Sequence, residues 1–192
     1  MLRKILSLVA IVALVFPISA TAQTWTVDSV HSAVAFKVRH FFSKVQGNFR
    51  DFSGTIEFDP AKPEAMKIDF EIKAASIDTA NDGRDKHLRN EDFFDVEKYP
   101  LMTFKSTSVK SVGEGKMKVT GQMKIKNKTK VMTIDVDFHG AANTPRGKKA
   151  GFSTSFTIDR TEFDVTYNGP MEGGGTMLGN DVEIDLEIQV NG

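Results

Sequence analysis

The feature that most constrains this sequence is a regular alternation of apolar and polar side chains with a period of two. It recurs through most of residues 34–190, with clear examples at 68–74, 117–125 and 182–190. Because successive side chains of a β-strand point to opposite faces, each such segment has one face for a core and one for solvent. The pattern therefore predicts a mainly β protein made of antiparallel, half-buried strands.

Two segments depart from the alternation. Residues 82–94 predict one short α-helix, capped by Asn81 or Asp82 and anchored at its end by Phe93 and Phe94. Residues 45–58 change phase, and a bulge near residues 50–51 would reconcile the two halves. Many strands and a single helix favour a closed barrel over a sandwich, because a barrel hides its strand edges as well as its interior.

The first 22 residues have the form of a secretory signal, with Arg3 and Lys4, an apolar run over 5–16 and small residues at 20–22. We expect cleavage after Ala22, which leaves one domain over residues 23–192. The chain has no cysteine, which excludes disulfide scaffolds, zinc–thiolate sites and thiol catalysis. Export of a cysteine-free chain suits a bacterial periplasm. Its 25 basic and 25 acidic side chains cancel, which argues against a dedicated nucleic-acid binder.

Phenylalanine dominates the aromatic residues, with 15 Phe against one Trp and two Tyr. Phe gives smooth apolar walls and Met adapts to irregular shapes, and both recur at positions predicted to face inward. These inward candidates are Phe36, Val38, Phe70, Met102, Phe104, Met117, Met123, Met132, Phe152 and Phe156. Gly121 and Thr154 on the same faces would leave room. The set forms either the wall of a cavity for a long apolar ligand or an ordinary packed core.

Polar residues give fewer indications of chemistry. His40 continues the inward phase of its strand, so it either binds a ligand head group at the strand end or is satisfied by the protein itself. His31, His87 and His139 lack metal-ligand spacing, and the sequence contains no nucleophile elbow, phosphate loop or His–Glu metal motif. We therefore expect no catalytic residue, no metal and no cofactor.

Six lysines surround one predicted hairpin. They either contact an anionic surface or pair across strands with acids such as Asp135 and Asp137, and the second interpretation is favoured. The six are Lys116, Lys118, Lys124, Lys126, Lys128 and Lys130.

Several motifs carry a resemblance to a known family. The most specific are Arg84-Asp85, His87-Leu88, residues 92–96 and Tyr99-Pro100, and further matches include Val27-Asp28, His31-Ser32, Gly47, Phe49, residues 119–121, Ile158, Arg160 and Phe163. On these residues the chain resembles the YceI family of exported, lipocalin-like lipid-binding proteins, from about Trp25 to its end. It departs from the family by having Asn127 and Asp164 in place of glycine. Asn tolerates left-handed turns, whereas Asp164 puts the rim of a pocket after Phe163 in question.

The resemblance implies an elongated antiparallel barrel with one helix, an apolar tunnel, and binding of polyisoprenoids or related long-chain amphiphiles by proteins that are often dimeric. We therefore expect a periplasmic carrier or sequestering protein for an isoprenoid or acyl lipid, with the head group near His40 and Arg84. Membrane contact would be peripheral at most. Two alternatives remain open: an enzyme that acts on a lipid head group, and a solid-core protein that works through its surface.

Overall fold

The computed structural model describes residues 23–170, 172 and 174–192, so the expected signal peptide lies outside the described residues. The described part contains eleven strands and one α-helix. The strands are β1 (Gln23–Val27), β2 (Ala33–His40), β3 (Ser43–Phe49), β4 (Phe52–Phe58), β5 (Lys67–Lys73), β6 (Ile77–Asp78), β7 (Leu101–Gly113), β8 (Lys116–Ile125), β9 (Lys128–Thr144), β10 (Gly147–Asp159) and β11 (Leu178–Asn191), and the helix is α1 (Asp82–Arg89). Within these residues no helix is both long and apolar enough to cross a membrane.

Eight of the described strands close into an antiparallel barrel. Their order is β1-β4-β5-β7-β8-β9-β10-β11, and the pairing of β1 with β11 completes the ring. β2, β3 and β6 extend the sheet from β11. Because β1 and β2 pair with successive parts of β11 and are separated by a short 3-10 turn at Ser29–His31, they act as one bent strand. The mainly β barrel with one helix is confirmed.

A second bend lies where the sequence changes phase. β3 ends at Phe49 and β4 begins at Phe52, and both side chains are buried. The Arg50 N–H donates to the Ser76 carbonyl, and the Asp51 carbonyl accepts the Lys73 N–H at the end of β5. The phase change is therefore real, although it separates two strands instead of forming a bulge within one.

The helix α1 is shorter than predicted. Asn81 caps it as expected, since its side-chain oxygen accepts the Arg84 N–H at 2.9 Å. The helix ends at Arg89, not near residue 94. Asn90 stops it because the Asn90 side-chain oxygen accepts the Asp92 N–H at 2.9 Å, which offers the backbone an alternative to the helical pattern.

The aromatic residues after the helix hold it against the barrel. Phe93 is buried, and the Phe94 ring lies 5.9 Å from the Phe49 ring in an edge-to-face arrangement. The predicted anchor is thus present, but it follows α1 and does not belong to it.

One end of the barrel, which we call the base, is filled by aromatic side chains. Trp25 is buried and its indole N–H donates to the Phe58 carbonyl at 3.3 Å. The Phe58 ring lies 4.9 Å from Phe138 and 5.3 Å from Phe152. Offset and edge-to-face contacts of this kind close the base without polar groups.

The opposite end, which we call the mouth, begins where β2 ends at His40. Here the sheet splits, because β10 pairs with β9 only as far as Ser153. A 3-10 helix at Arg160–Phe163 follows β10 and packs against β9. Lys126 donates to the Asp164 carbonyl at 3.0 Å, which ties this helix to the hairpin between β8 and β9.

Four of the six lysines around that hairpin pair with acids. Lys118 lies 2.7 Å from Asp135, Lys116 4.0 Å from Asp137, Lys128 3.3 Å from Asp164, and Lys130 3.8 Å from Glu162. The cluster is therefore largely neutralised by its own neighbours, as the favoured interpretation predicted.

Candidate functional site

A cavity of about 340 Å³ occupies the barrel between the base and the mouth. Its wall contains these sequence-predicted residues: Phe36, Val38, His40, Phe70, Arg84, Met102, Phe104, Met123, Phe152 and Phe156. Branched side chains on β11, namely Val182, Ile184, Leu186 and Ile188, complete one side. The barrel is therefore not filled by its own side chains, as a solid-core protein would require. Its size and apolar lining are typical of sites for small hydrophobic molecules.

Two predicted residues do not reach the cavity. Met117 faces inward but lies toward the base, opposite Val136, where it is almost fully buried in packed core. Met132 is partly buried and pairs with Gly121, a position covered by the Phe104 ring. The alternation identified the face of the strand correctly in both cases, but it carries no information on depth along the barrel.

Inward glycines support the cavity wall. A Cβ on Gly47 would lie 2.4 Å from the Phe36 ring, and one on Gly121 would lie 2.4 Å from the Phe104 ring. The tip of each ring therefore occupies the space beside a glycine of the neighbouring strand. The expectation that Gly121 leaves room for a ligand is wrong, because a phenylalanine takes that space.

His40 lies at the mouth, in the cavity wall, as its phase predicted. Its ring contacts Phe41 edge-to-face at 4.6 Å. The turn that follows carries Phe41, which is 39% exposed, and Phe42, which is 94% exposed. These two adjacent apolar side chains form a small exposed apolar patch beside the cavity.

Arg84 also lies in the wall, on α1. Its guanidinium donates to the Thr79 hydroxyl at 2.7 Å and to the Thr79 carbonyl at 2.8 Å. Thr79 in turn donates its backbone N–H to the buried Asp85 carboxylate at 3.0 Å. This network fixes Arg84 at the edge of the cavity.

Sequence reasoning missed His87, which also lines the cavity. Its Nε2 lies 2.9 Å from the Asp92 carboxylate, and its ring contacts the Tyr167 ring edge-to-face at 4.8 Å. Helical spacing could have found it, because His87 is three residues from Arg84 and so lies on the same side of α1.

Arg160 is another charged wall residue that sequence reasoning missed. It is 6% exposed, lies in the cavity wall and begins the 3-10 helix at Arg160–Phe163. The period-two pattern could have found it, since Phe156, Ile158 and Arg160 share the inward phase of β10.

The histidine and arginine side chains of the cavity wall, which are His40, Arg84, His87 and Arg160, lie toward the mouth. Among the described residues, no group of three or more His, Asp or Glu side chains is placed to hold a metal ion. The site thus combines a long apolar wall with a few polar groups at one end, which is an arrangement for binding an amphiphile.

Comparison with known proteins agrees with this geometry. The model of the YceI-like domain matches residues 25–190. The chain belongs to the YceI-like family. A UPF0312 protein of Pseudomonas savastanoi pv. phaseolicola is 41% identical over 175 residues, covering 88% of this chain and 91% of the relative. A UPF0312 protein of Vibrio parahaemolyticus is 34% identical over 185 residues, covering 94% and 93%.

Solved structures of the YceI-like fold superpose well on this barrel. BcnA of Burkholderia cenocepacia has a TM-score of 0.76 at 27% identity, covering 85% of this chain and 98% of that one. The Campylobacter jejuni YCEI protein has a TM-score of 0.69 at 36% identity, covering 79% and 86%. A polyisoprenoid binding domain from Saccharophagus degradans has a TM-score of 0.68 at 13% identity, covering 87% and 97%, and that likeness concerns the fold alone.

Proposed function

We propose that this protein binds a long-chain isoprenoid or another amphiphilic lipid in its barrel and carries or sequesters it in the periplasm. The observation that carries the proposal is the apolar cavity of about 340 Å³ with its polar groups gathered at the mouth. A sugar or nucleotide would leave polar groups unpaired against this wall, whereas a hydrocarbon chain would not.

The energetics favour a long tail as the main source of affinity. Burying one CH₂ contributes about 0.8 kcal/mol, so ten such groups contribute about 8 kcal/mol before the entropic cost of binding. A net binding free energy of about 8 kcal/mol corresponds to a dissociation constant of about 1 μM, so a tail longer than ten CH₂ groups is needed to offset the entropic cost as well. The head group then determines which amphiphile is preferred and which end enters first.

Two further lines support the proposal. The Saccharophagus degradans domain of the same fold is described as polyisoprenoid binding. The first 22 residues carry the pattern of a signal peptide, which would place the mature chain in the periplasm.

We favour a binding protein over an enzyme that acts on the lipid head group. Enzymatic chemistry needs convergent acids, bases or nucleophiles around the reacting atom. At this mouth Arg84 is bound to Thr79 and His87 to Asp92. Both pairs hold these side chains in place, and most of the remaining wall residues are apolar.

Peripheral membrane contact at the Phe41–Phe42 turn would let the lipid enter. Phe42 is exposed beside the mouth, and Arg39 next to it adds a positive charge. Phe42→Ser should slow uptake of a fluorescent lipid from phosphatidylglycerol vesicles several-fold. Val30→Ser removes another highly exposed apolar side chain, from the turn at Ser29–His31, and is the matched control. Equal rates for both variants would exclude the Phe41–Phe42 turn as the entry surface.

The central test is to isolate the protein from the periplasm of its own host, record its native mass spectrum and extract the bound lipid. We expect a mass increase that disappears after extraction and a long-chain amphiphile in the extract. Recovery of lipid-free protein that also fails to bind isoprenoid quinones and isoprenoid phosphates in solution would overturn the proposal.

A further inference from the structure

The most unusual group in the cavity wall is the Arg160 guanidinium. Three backbone carbonyls accept from it: Nε donates to Gly179 at 2.8 Å, and Nη1 donates to Val165 at 2.5 Å and to Tyr167 at 2.9 Å. Its Nη2 is buried and has no hydrogen-bond partner among the residues that the structure describes. A buried donor without a partner is costly, so it is seldom left that way without a reason.

Among the described residues, no acidic side chain forms a direct ion pair with Arg160. The adjacent Asp159 carboxylate is occupied as a cap, since it accepts the Thr161 N–H at 2.8 Å and the Thr161 hydroxyl at 2.6 Å. Burial lowers the pKa of Arg160 from its ordinary value, with Asp159 opposing this effect. Arginine nevertheless stays charged at neutral pH, so a cation is held in an apolar wall by direct contacts to three carbonyl dipoles, with the Asp159 charge nearby.

We infer that Arg160 binds the head group of the amphiphile, and that this head group is acidic, a carboxylate or a phosphate. The inference rests on the proposed function. An oxygen anion would satisfy the free Nη2 and supply the missing counter-charge in one step. Arg160 donates to the carbonyl of Tyr167, and the ring of Tyr167 packs on His87 at the mouth. The head group would therefore lie at the mouth and the tail would point toward the base.

The test compares three probes that share one tail: geranylgeraniol, geranylgeranic acid and geranylgeranyl phosphate. The wild-type protein should bind one or both acidic probes about 10-fold to 100-fold more tightly than the alcohol. Whichever acid binds tighter identifies the source of the anion as carboxylate or phosphate. This comparison needs no variant, so it stands even if a substitution prevents folding.

Arg160→Gln should weaken binding of the acidic probes at least about 10-fold more than binding of geranylgeraniol, and so remove the preference for acids. Arg160→Lys, which keeps the charge but not the forked donor, should retain part of it. Arg50→Gln is the matched control, because Arg50 is exposed and pairs with Asp78 outside the cavity. A purely structural role of Arg160 would weaken all three probes alike.

The possible failures are distinguishable. Equal wild-type affinity for the alcohol and both acids, or an unchanged preference in Arg160→Gln, would overturn the role of Arg160 and leave lipid binding intact. If the wild type binds none of the three probes, the proposed function and this inference both fail.

Discussion

At the scale of single residues, Asp28 connects the start of the barrel to its last strands. Its carboxylate lies 2.9 Å from His31 Nδ1, accepts from Gln189 Nε2 at 3.1 Å, and lies 3.5 Å from the Lys149 ammonium. The hydrogen bond to His31, followed by that to Gln189, holds the pKa of Asp28 well below its usual range. Since the pKa is lowered in the folded state, the stabilisation is complete above about pH 4 and is lost as the pH falls further.

Asp28→Asn should therefore lower the free energy of unfolding at pH 7, and its difference from the wild type should shrink as the pH falls toward the lowered pKa. Urea unfolding at pH 7, 5 and 3 measures this. Glu91→Gln, on an exposed side chain, is the control and should change little at any of these pH values. A difference of constant size across the series would show that the charge of Asp28 is unimportant.

Asp164 stands where the YceI family often has glycine, and its backbone conformation is that of a glycine. It has φ 57° and ψ 27°, which is the left-handed conformation that glycine adopts readily, and it ends the 3-10 helix at Arg160–Phe163. The rim of the cavity thus keeps a glycine-like backbone. In the hairpin turn that contains Asn127, Lys126 has the left-handed backbone conformation. Asn127 therefore does not need to adopt that conformation.

This geometry predicts that Asp164→Val costs about 1–2 kcal/mol of unfolding free energy, because a β-branched side chain is strained at positive φ. Asp164→Gly should stay within about 0.5 kcal/mol of the wild type, since the ion pair with Lys128 that it loses is exposed. Chemical denaturation of both variants checks this. Equal destabilisation by Val and Gly would assign the effect to the ion pair and not to the backbone.

At the scale of elements, β7 and β8 fit together through a glycine. A Cβ on Gly121 would lie 2.4 Å from the Phe104 ring and 2.6 Å from the Lys105 carbonyl oxygen. The ring can move only toward the cavity, and the carbonyl can move only with its strand. Gly121→Ala should therefore cost about 1–3 kcal/mol and also weaken lipid binding.

Gly151→Ala is the matched control for this prediction, because its Cβ would have an ordinary contact of 3.6 Å with His139. Thermal unfolding and titration with a fluorescent lipid measure the two effects separately. Unchanged stability in Gly121→Ala would mean that the two strands are less rigidly spaced than the contact distances indicate.

The elements also show how far sequence alone can reach. The period of two identified the strands, and it placed Phe36, Phe104 and Phe156 on the cavity face because side-chain direction is a local property. Depth along the barrel is not local, so Met117 could not be distinguished from Met102. The end of α1 depended on one side-chain bond of Asn90. The split between β9 and β10, which brings Arg160 to the mouth, follows from long-range register and left no signal in the sequence.

At the scale of the whole molecule, the barrel is tightly packed at one end and incomplete at the other. Aromatic packing closes the base, whereas the mouth depends on β2, β3, α1 and the 3-10 helix at Arg160–Phe163. A ligand that fills the cavity between the base and the mouth adds contacts that the empty barrel lacks. Binding should therefore stabilise the fold as a whole.

A saturating lipid, at about 100 times its dissociation constant, should add about 2.7 kcal/mol to the unfolding free energy. For a domain of this size that corresponds to a rise in melting temperature of about 5–11 °C. Leu186→Trp should abolish the rise, because the indole fills the cavity from the β11 side. Val131→Trp places the same side chain at a position 70% exposed on the barrel and should leave the rise intact. If Leu186→Trp kept the full rise, the ligand would have to bind outside the barrel, and the cavity would not be the site that stabilises the protein.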